Sequence, residues 1–172
     1  MWEFTLIGVD PGIVHSGIVS LTFIPNNLPK VEAIVVDGAD AAGIAAAVQQ
    51  INKKEDHFVF VEKYQDRVKG FKQDSKMRKL ETELMGLLLS TGTDQQVSLV
   101  NNTGVKKLVP QRTMEALGCW TFSQKTHHQD LRSAARIALL GAARTPSLSR
   151  ALYQHLLPLT AEYLVAGEPT PN

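Results

Sequence analysis

The stretch Leu6-Ile7-Gly8-Val9-Asp10-Pro11-Gly12-Ile13-Val14-His15-Ser16-Gly17 constrains this chain more than any other. An apolar run reaches an acid, breaks at Pro-Gly, and resumes at once as Ile18-Val19-Ser20-Leu21-Thr22-Phe23. That pattern reads as strand, tight turn, strand. Pro11 and Gly12 turn the chain where the first strand gives out, and Gly17 admits a neighbouring backbone. Asp10 then stands at the end of a buried strand, where a carboxylate is costly unless something uses its charge. A metal ion is the usual user. A solvated Asp that merely starts a turn fits the same residues, and the rest of the chain has to separate the two.

A length of 172 residues suits one compact domain. With 44% hydrophobic and 20% charged residues, there is apolar material for a real core in an ordinary globular protein. The start, Met1-Trp2-Glu3-Phe4, lacks the basic and apolar regions of a signal peptide, and no apolar run is long enough to span a bilayer. Cys119 is the single cysteine, which excludes an internal disulfide and a zinc-thiolate cluster. These features lead us to expect a cytoplasmic protein with no membrane partner. A net charge of +1 says nothing about nucleic acid by itself.

Strands are expected at Glu3 to Val9, His15 to Phe23 and Lys30 to Val36, joined by short links as an antiparallel meander. Asp40 can cap a helix from Ala41 to about Lys53 that buries Ala45, Val48 and Ile51. Phe58-Val59-Phe60-Val61 reads as a buried strand ending in Glu62, a second acid at the end of an apolar strand. A helix from about Ser75 to Leu89 turns Leu80, Leu84, Leu87 and Leu88 to the core, and Val97 to Val100 is a fifth strand. After a loop at Asn101 to Gly104, Gln111 to Leu117 reads as a short helix closed by Gly118. Thr126 can cap a helix from His127 to about Ala143 whose small apolar face suits close packing on a sheet. Pro146 ends that region, and Ser149 to Val165 forms a last helical stretch bent or broken at Pro158. Residues 1–166 are read as one domain and 167–172 as a disordered tail.

Between Lys63 and Lys79 the chain turns basic, with Lys63, Arg67, Lys69, Lys72, Lys76, Arg78 and Lys79 against Asp66 and Asp74. Most such runs are solvated surface. With Tyr64 and Phe71 interleaved, the run also suits phosphate contact and stacking on exposed bases.

If the strands ending in Asp10 and Glu62 are neighbours, both carboxylates emerge at one edge. His127 and Asp130, three apart on the expected helix, share a face. Acids crowded in this way cannot all stay ionised without a cation. Mg²⁺, with Mn²⁺ as substitute, is the natural occupant, and two such ions can hold a phosphodiester and activate water. Taken singly, His127 and Asp130 are explained as ordinary polarity at a helix N-terminus.

The ordered set resembles the RuvC-like Holliday-junction resolvases of the ribonuclease H-like superfamily. The matching pieces are Gly8-Val9-Asp10-Pro11-Gly12 with Gly17, Val59-Phe60-Val61-Glu62, Gly104-Val105-Lys106-Lys107 and His127-His128-Gln129-Asp130, within about Thr5 to Ala143. The resemblance implies an α/β fold with a five-stranded mixed sheet, strands one to three antiparallel, flanked by helices. An extra C-terminal helical segment lies beyond the match. It implies a homodimer that binds four-way DNA and nicks opposing strands symmetrically with divalent metal, and no nucleotide cofactor. Asp10, Glu62 and Asp130 would be the catalytic metal-binding carboxylates, and Lys106 and Lys107 phosphate contacts. Members usually carry a fourth ligand three residues from an Asp on the last helix. His127 with Asp130 supplies four ligands and is the preferred register. Asp130 with Ser133 is the alternative, better matched by Ala134 to Leu139. Tyr64 is the nearest candidate for an aromatic after the strand-four acid. Such resolvases occur in bacteria and phages.

Other readings stay open. One is a nuclease of the same fold acting on flaps, forks or RNA. Another is a junction-binding protein with a degraded site, motivated by Ser133. An actin-like kinase also opens with an Asp-x-Gly hairpin, but a second phosphate loop is not found here.

Overall fold

The computed structural model describes residues 2–38, 40–52, 56–65, 72–91, 96–124 and 126–166. Five strands form one mixed sheet: β1 (Phe4–Asp10), β2 (His15–Phe23), β3 (Lys30–Asp37), β4 (His57–Glu62) and β5 (Gln96–Val100). Their order across the sheet is β3-β2-β1-β4-β5. The first three are antiparallel neighbours, whereas β4 runs parallel to both β1 and β5. The helices are α1 (Ala41–Ile51), α2 (Lys72–Ser90), α3 (Val105–Leu108), α4 (Gln111–Ala116), α5 (His128–Arg144) and α6 (Pro146–Ala166). The expected five-stranded mixed sheet with its antiparallel meander is therefore present. No helix among the described residues is long and apolar enough to cross a membrane.

Side-chain alternation along the strands divides the core in two. Phe4 and Leu6 of β1, Val19 and Leu21 of β2, and Phe58 and Phe60 of β4 pack with α5 and the start of α6. Ile7, Val9, Ile18, Val59 and Val61 face the other way and meet α1 and α2. By the same alternation Asp10 and Glu62 fall on the α5 face. That face is unusually close to the helix. A Cβ on Gly8 would overlap the carbonyl oxygen of Ala134, and one on Gly17 would lie 2.5 Å from that of Asp130.

Several local expectations are corrected. On α2, Leu80, Leu84 and Leu88 are buried at four-residue spacing, but Leu87 is 38% exposed because it lies off that stripe. Lys106 and Lys107, given no element in the sequence reading, sit on the short helix α3. Helix α5 starts at His128, one residue later than expected, and its N-cap is His127 in the left-handed conformation, not Thr126. Pro146 opens α6, where proline's missing N–H is no loss. The helix also continues past Pro158 without a break. The expected tail at 167–172, and Arg67, Lys69 and Phe71 of the basic run, lie outside the described residues.

Helix α6 is fastened to the N-terminus through His155, which is 5% exposed and packs edge-on against Phe4 and Phe23, each 5.5 Å away. Its Nε2 is buried without a hydrogen-bond partner. Burial lowers the imidazole pKa, with a hydrogen bond to the Trp2 backbone acting the other way. A group that resists protonation when folded destabilises the fold as pH falls below its unfolded value, about 6.5 for histidine. Melting temperatures between pH 7.5 and 5 should therefore fall, and His155→Leu should flatten that dependence. A second outcome concerns the helix seat. Gly8→Ala should cost roughly 3 kcal/mol, because the obstruction is backbone. Gly86→Ala, at an exposed helical position with nothing within 4 Å, should gain up to about 1 kcal/mol. Urea denaturation of both variants checks the contrast.

Candidate metal and nucleic-acid site

The site follows from strand register. Val9 pairs with Val61 across the parallel β1–β4 ladder, so the next residues, Asp10 and Glu62, end side by side. Asp10 also pairs with Gly17 on its other flank, where Asp130 approaches. Together with Pro11 to Val14, Lys63, Tyr64, Gln65, Met77 and Asn102, the two acids line an open cleft of ≈ 670 Å³.

Glu62 is close enough to Asp10 to act directly on its ionisation. The Asp10 carboxyl is held well above the usual carboxylate range. Burial is the largest cause, followed by the Glu62 charge, the hydrogen bond with Glu62 and the Asp130 charge, while a hydrogen bond with Ser133 acts downward. Asn102 donates its amide N–H to Glu62 Oε1. The charges of Glu62 and Asp130 thus both act on Asp10.

Among the described residues, no three His, Cys, Asp or Glu side chains already form a metal-ligand group. The donor set nevertheless suits Mg²⁺ or Mn²⁺. Such ions are commonly held by one or two carboxylates, with waters and substrate phosphate completing the shell. A divalent cation held here would offset the charges of Glu62 and Asp130 that act on Asp10.

The two candidates for the fourth position separate. Ser133 is near enough to Asp10 to act on its carboxyl, in the direction that favours the charged form. His127 stands before α5 and not on it, with its Nδ1 3.5 Å from Asp130 Oδ2. The left-handed backbone at His127 (φ 63, ψ 22) brings that contact about, in place of the shared helix face that was expected.

Of the proposed nucleic-acid contacts, Lys63 and Tyr64 line the cleft. Tyr64 is anchored to α2: its hydroxyl donates to Asp74, and its backbone N–H donates to Glu81 Oε2 at 2.6 Å. Lys106 and Lys107 are exposed on α3 and are not among the cleft-lining residues. Lys72 opens α2. Sequence reasoning missed Asn102, although Glu62 pairs with Val100 and the loop after β5 was bound to pass beside it. Gln65 was missed as well; its amide donates to Asn101 Oδ1 at 2.6 Å and Thr103 Oγ1 at 3.2 Å, tying the cleft wall to the same loop.

A mixed α/β sheet with paired acids on adjacent strand ends and a helix across them defines a ribonuclease H-like architecture. Searches with protein-family models and against curated proteins give no match. Among solved structures, the chain is similar to Thermus thermophilus RuvC at 18% identity and a TM-score of 0.57, covering 89% of this chain and 96% of that one. The same protein in complex with a Holliday junction substrate aligns with a TM-score of 0.58, again at 18% identity and with coverages of 89% and 96%. A fowlpox virus resolvase bound to substrate Holliday junction DNA aligns more distantly, at 13% identity, coverages of 80% and 95% and a TM-score of 0.46. The chain has a RuvC-like resolvase fold.

Crowding at Asp10 opposes folding while it prepares a site, so Asp10→Asn should stabilise the metal-free protein. About 1 kcal/mol would raise the melting temperature by 2–4 °C. Scanning calorimetry in chelator checks this; an unchanged or lower melting temperature contradicts the crowding.

Proposed function

We propose that this chain is a divalent-metal-dependent, structure-selective DNA endonuclease that resolves four-way junctions by paired symmetric nicks. One observation carries the reading: Asp10 and Glu62 meet at neighbouring strand ends, in an open cleft, with the Asp130 charge acting on Asp10. Residues 1–166 act as one nuclease domain, and two copies of the chain present two such clefts to opposite strands. The solved relatives bound to junction DNA support the choice of substrate.

In this reading Asp10, Glu62 and Asp130 hold the metal, with His127 beside Asp130. One or two bound Mg²⁺ or Mn²⁺ ions supply Lewis-acid polarisation of the phosphodiester and an activated water. Asn102 fixes the Glu62 carboxylate by its hydrogen bond. Ser133 acts on Asp10 in the direction that favours its carboxylate. Lys63 meets phosphate at the cleft, and Lys106 and Lys107 meet it on α3, with Arg67, Lys69 and Lys72 extending the basic track. Recognition is by shape and backbone charge, not by base sequence. The Tyr64 ring offers a face to a base exposed at the branch point. The protein works in the cytoplasm of a bacterium or of a phage-infected host.

A second reading has its own observation. The α5 side chain that acts on Asp10, Ser133, is a hydroxyl, a weak metal ligand, which suits a protein that binds junctions without cutting them.

An end-labelled four-way junction, a matched duplex and a Y-fork, each with Mg²⁺, Mn²⁺ or chelator, distinguish the readings. Paired nicks on the junction are expected, lost in chelator and reduced at least 100-fold in Asp10→Asn, which retains junction binding. Equal cutting of forks would indicate a broader branched-DNA nuclease. Binding with no cutting under any metal would favour the second reading.

A further inference from the structure

Beside the carboxylate cleft, four side chains form a line from the sheet edge to α5. Asp37 ends β3 and His15 opens β2; the two are register partners, with His15 Nδ1 2.8 Å from Asp37 Oδ1. The His15 ring lies against that of His127, with centroids 4.0 Å apart and planes tilted by 50°. His127 Nδ1 is in turn 3.5 Å from Asp130 Oδ2. Residues 37, 15, 127 and 130 are brought into sequence-distant contact only because β2 joins β3 on one side and receives the start of α5 on the other.

Two features give this line a direction. His127 occupies the left-handed region (φ 63, ψ 22), which non-glycine residues rarely adopt. Such a conformation persists where its surroundings over-determine it. Here the imidazole meets both the His15 ring and the Asp130 carboxylate. The second feature is the backbone: two residues along β2 from His15, Gly17 makes room for the Asp130 carbonyl. One strand thus seats both the main chain of Asp130 and the imidazole that touches its side chain. The Asp37 side chain is 84% exposed and that of His15 35%, so their ion pair adds little stability. What it does fix is the plane of the His15 ring.

We infer that His15 and Asp37 are positioning residues for the cation site, holding His127 and Asp130 in the arrangement in which Asp130 joins Asp10 and Glu62. The inference rests on the cation reading of these three acids and extends it to a pair of residues outside the cleft. It assigns no chemical step to either residue. Metal ligands are commonly oriented by such outer partners, whose loss typically costs 10–100-fold in affinity.

The test is Mn²⁺ binding to the full chain without DNA, titrated by calorimetry, with melting temperature and metal-free junction binding measured alongside. His15→Ala should weaken Mn²⁺ binding about 10-fold and leave junction binding in chelator unchanged. His15→Phe retains a ring face for His127 and should recover most of the affinity, while Asp37→Asn should lose less than His15→Ala. If His15→Ala proves unfolded, His15→Phe and Asp37→Asn still give the comparison. Wild-type affinity in both His15→Ala and Asp37→Asn overturns the positioning role and leaves the cation site standing. Absence of Mn²⁺ binding in the wild-type chain overturns the cation reading itself, and this inference with it.

Discussion

The close seat of α5 on the sheet is the constraint from which the rest follows. Helices ordinarily meet sheets through side chains, but here Gly8 and Gly17 let the helix backbone at Ala134 and Asp130 approach the strands directly. Further along, Gly141 admits the Phe60 ring. Small residues on the helix face, Ala134, Ala135 and Ala138, complete the contact and are fully buried. With less room α5 would ride higher, and Asp130 and Ser133 would withdraw from Asp10. Packing and site geometry are one constraint: the residues that seal the core also set how near the acids come.

That nearness is unfavourable in isolation. Burial and the charges of Glu62 and Asp130 all push the Asp10 carboxyl toward its protonated form. Departures from ordinary stability gather at this end of the sheet: a buried acid pressed by the charges of two others, a left-handed histidine, and a carboxylate held by an asparagine. The opposite end is conventional apolar packing around Phe4 and Phe23, apart from the orphaned nitrogen of His155. Such a gradient is expected where stability is spent on a binding site.

Much of this was legible in the sequence because it rests on short-range pattern. The apolar runs ending in Asp10 and Glu62 located two strand ends, and parallel pairing made them neighbours. The cysteine, the glycines and the α5 small-residue face were read the same way. What escaped depends on contacts between distant segments. Asn102 meets Glu62 because β5 lies beside β4, an adjacency that no local pattern encodes. His15 and Asp37 look like ordinary strand-end polarity until β2 and β3 are paired. The backbone of His127 was misjudged because a polar run before an apolar helix suggests a Thr cap. The observed entry is a left-handed turn with no side-chain cap bond, supported by a ring from another strand. Pro158 was given a local meaning, a break, that the surrounding helix overrides.

The acids differ in what supports them, and this bears on how the site responds to a cation. Asp130 lies in the first turn of α5, where the helix N-terminus favours negative charge. Glu62 receives the Asn102 amide. Asp10 has the Ser133 hydroxyl, and burial outweighs it. The cost of crowding therefore falls on Asp10, at the centre of the three. Neutralising a peripheral acid would remove one of the charges pressing on Asp10, whereas a cation placed between Asp10 and Glu62 answers all of the electrostatic causes together.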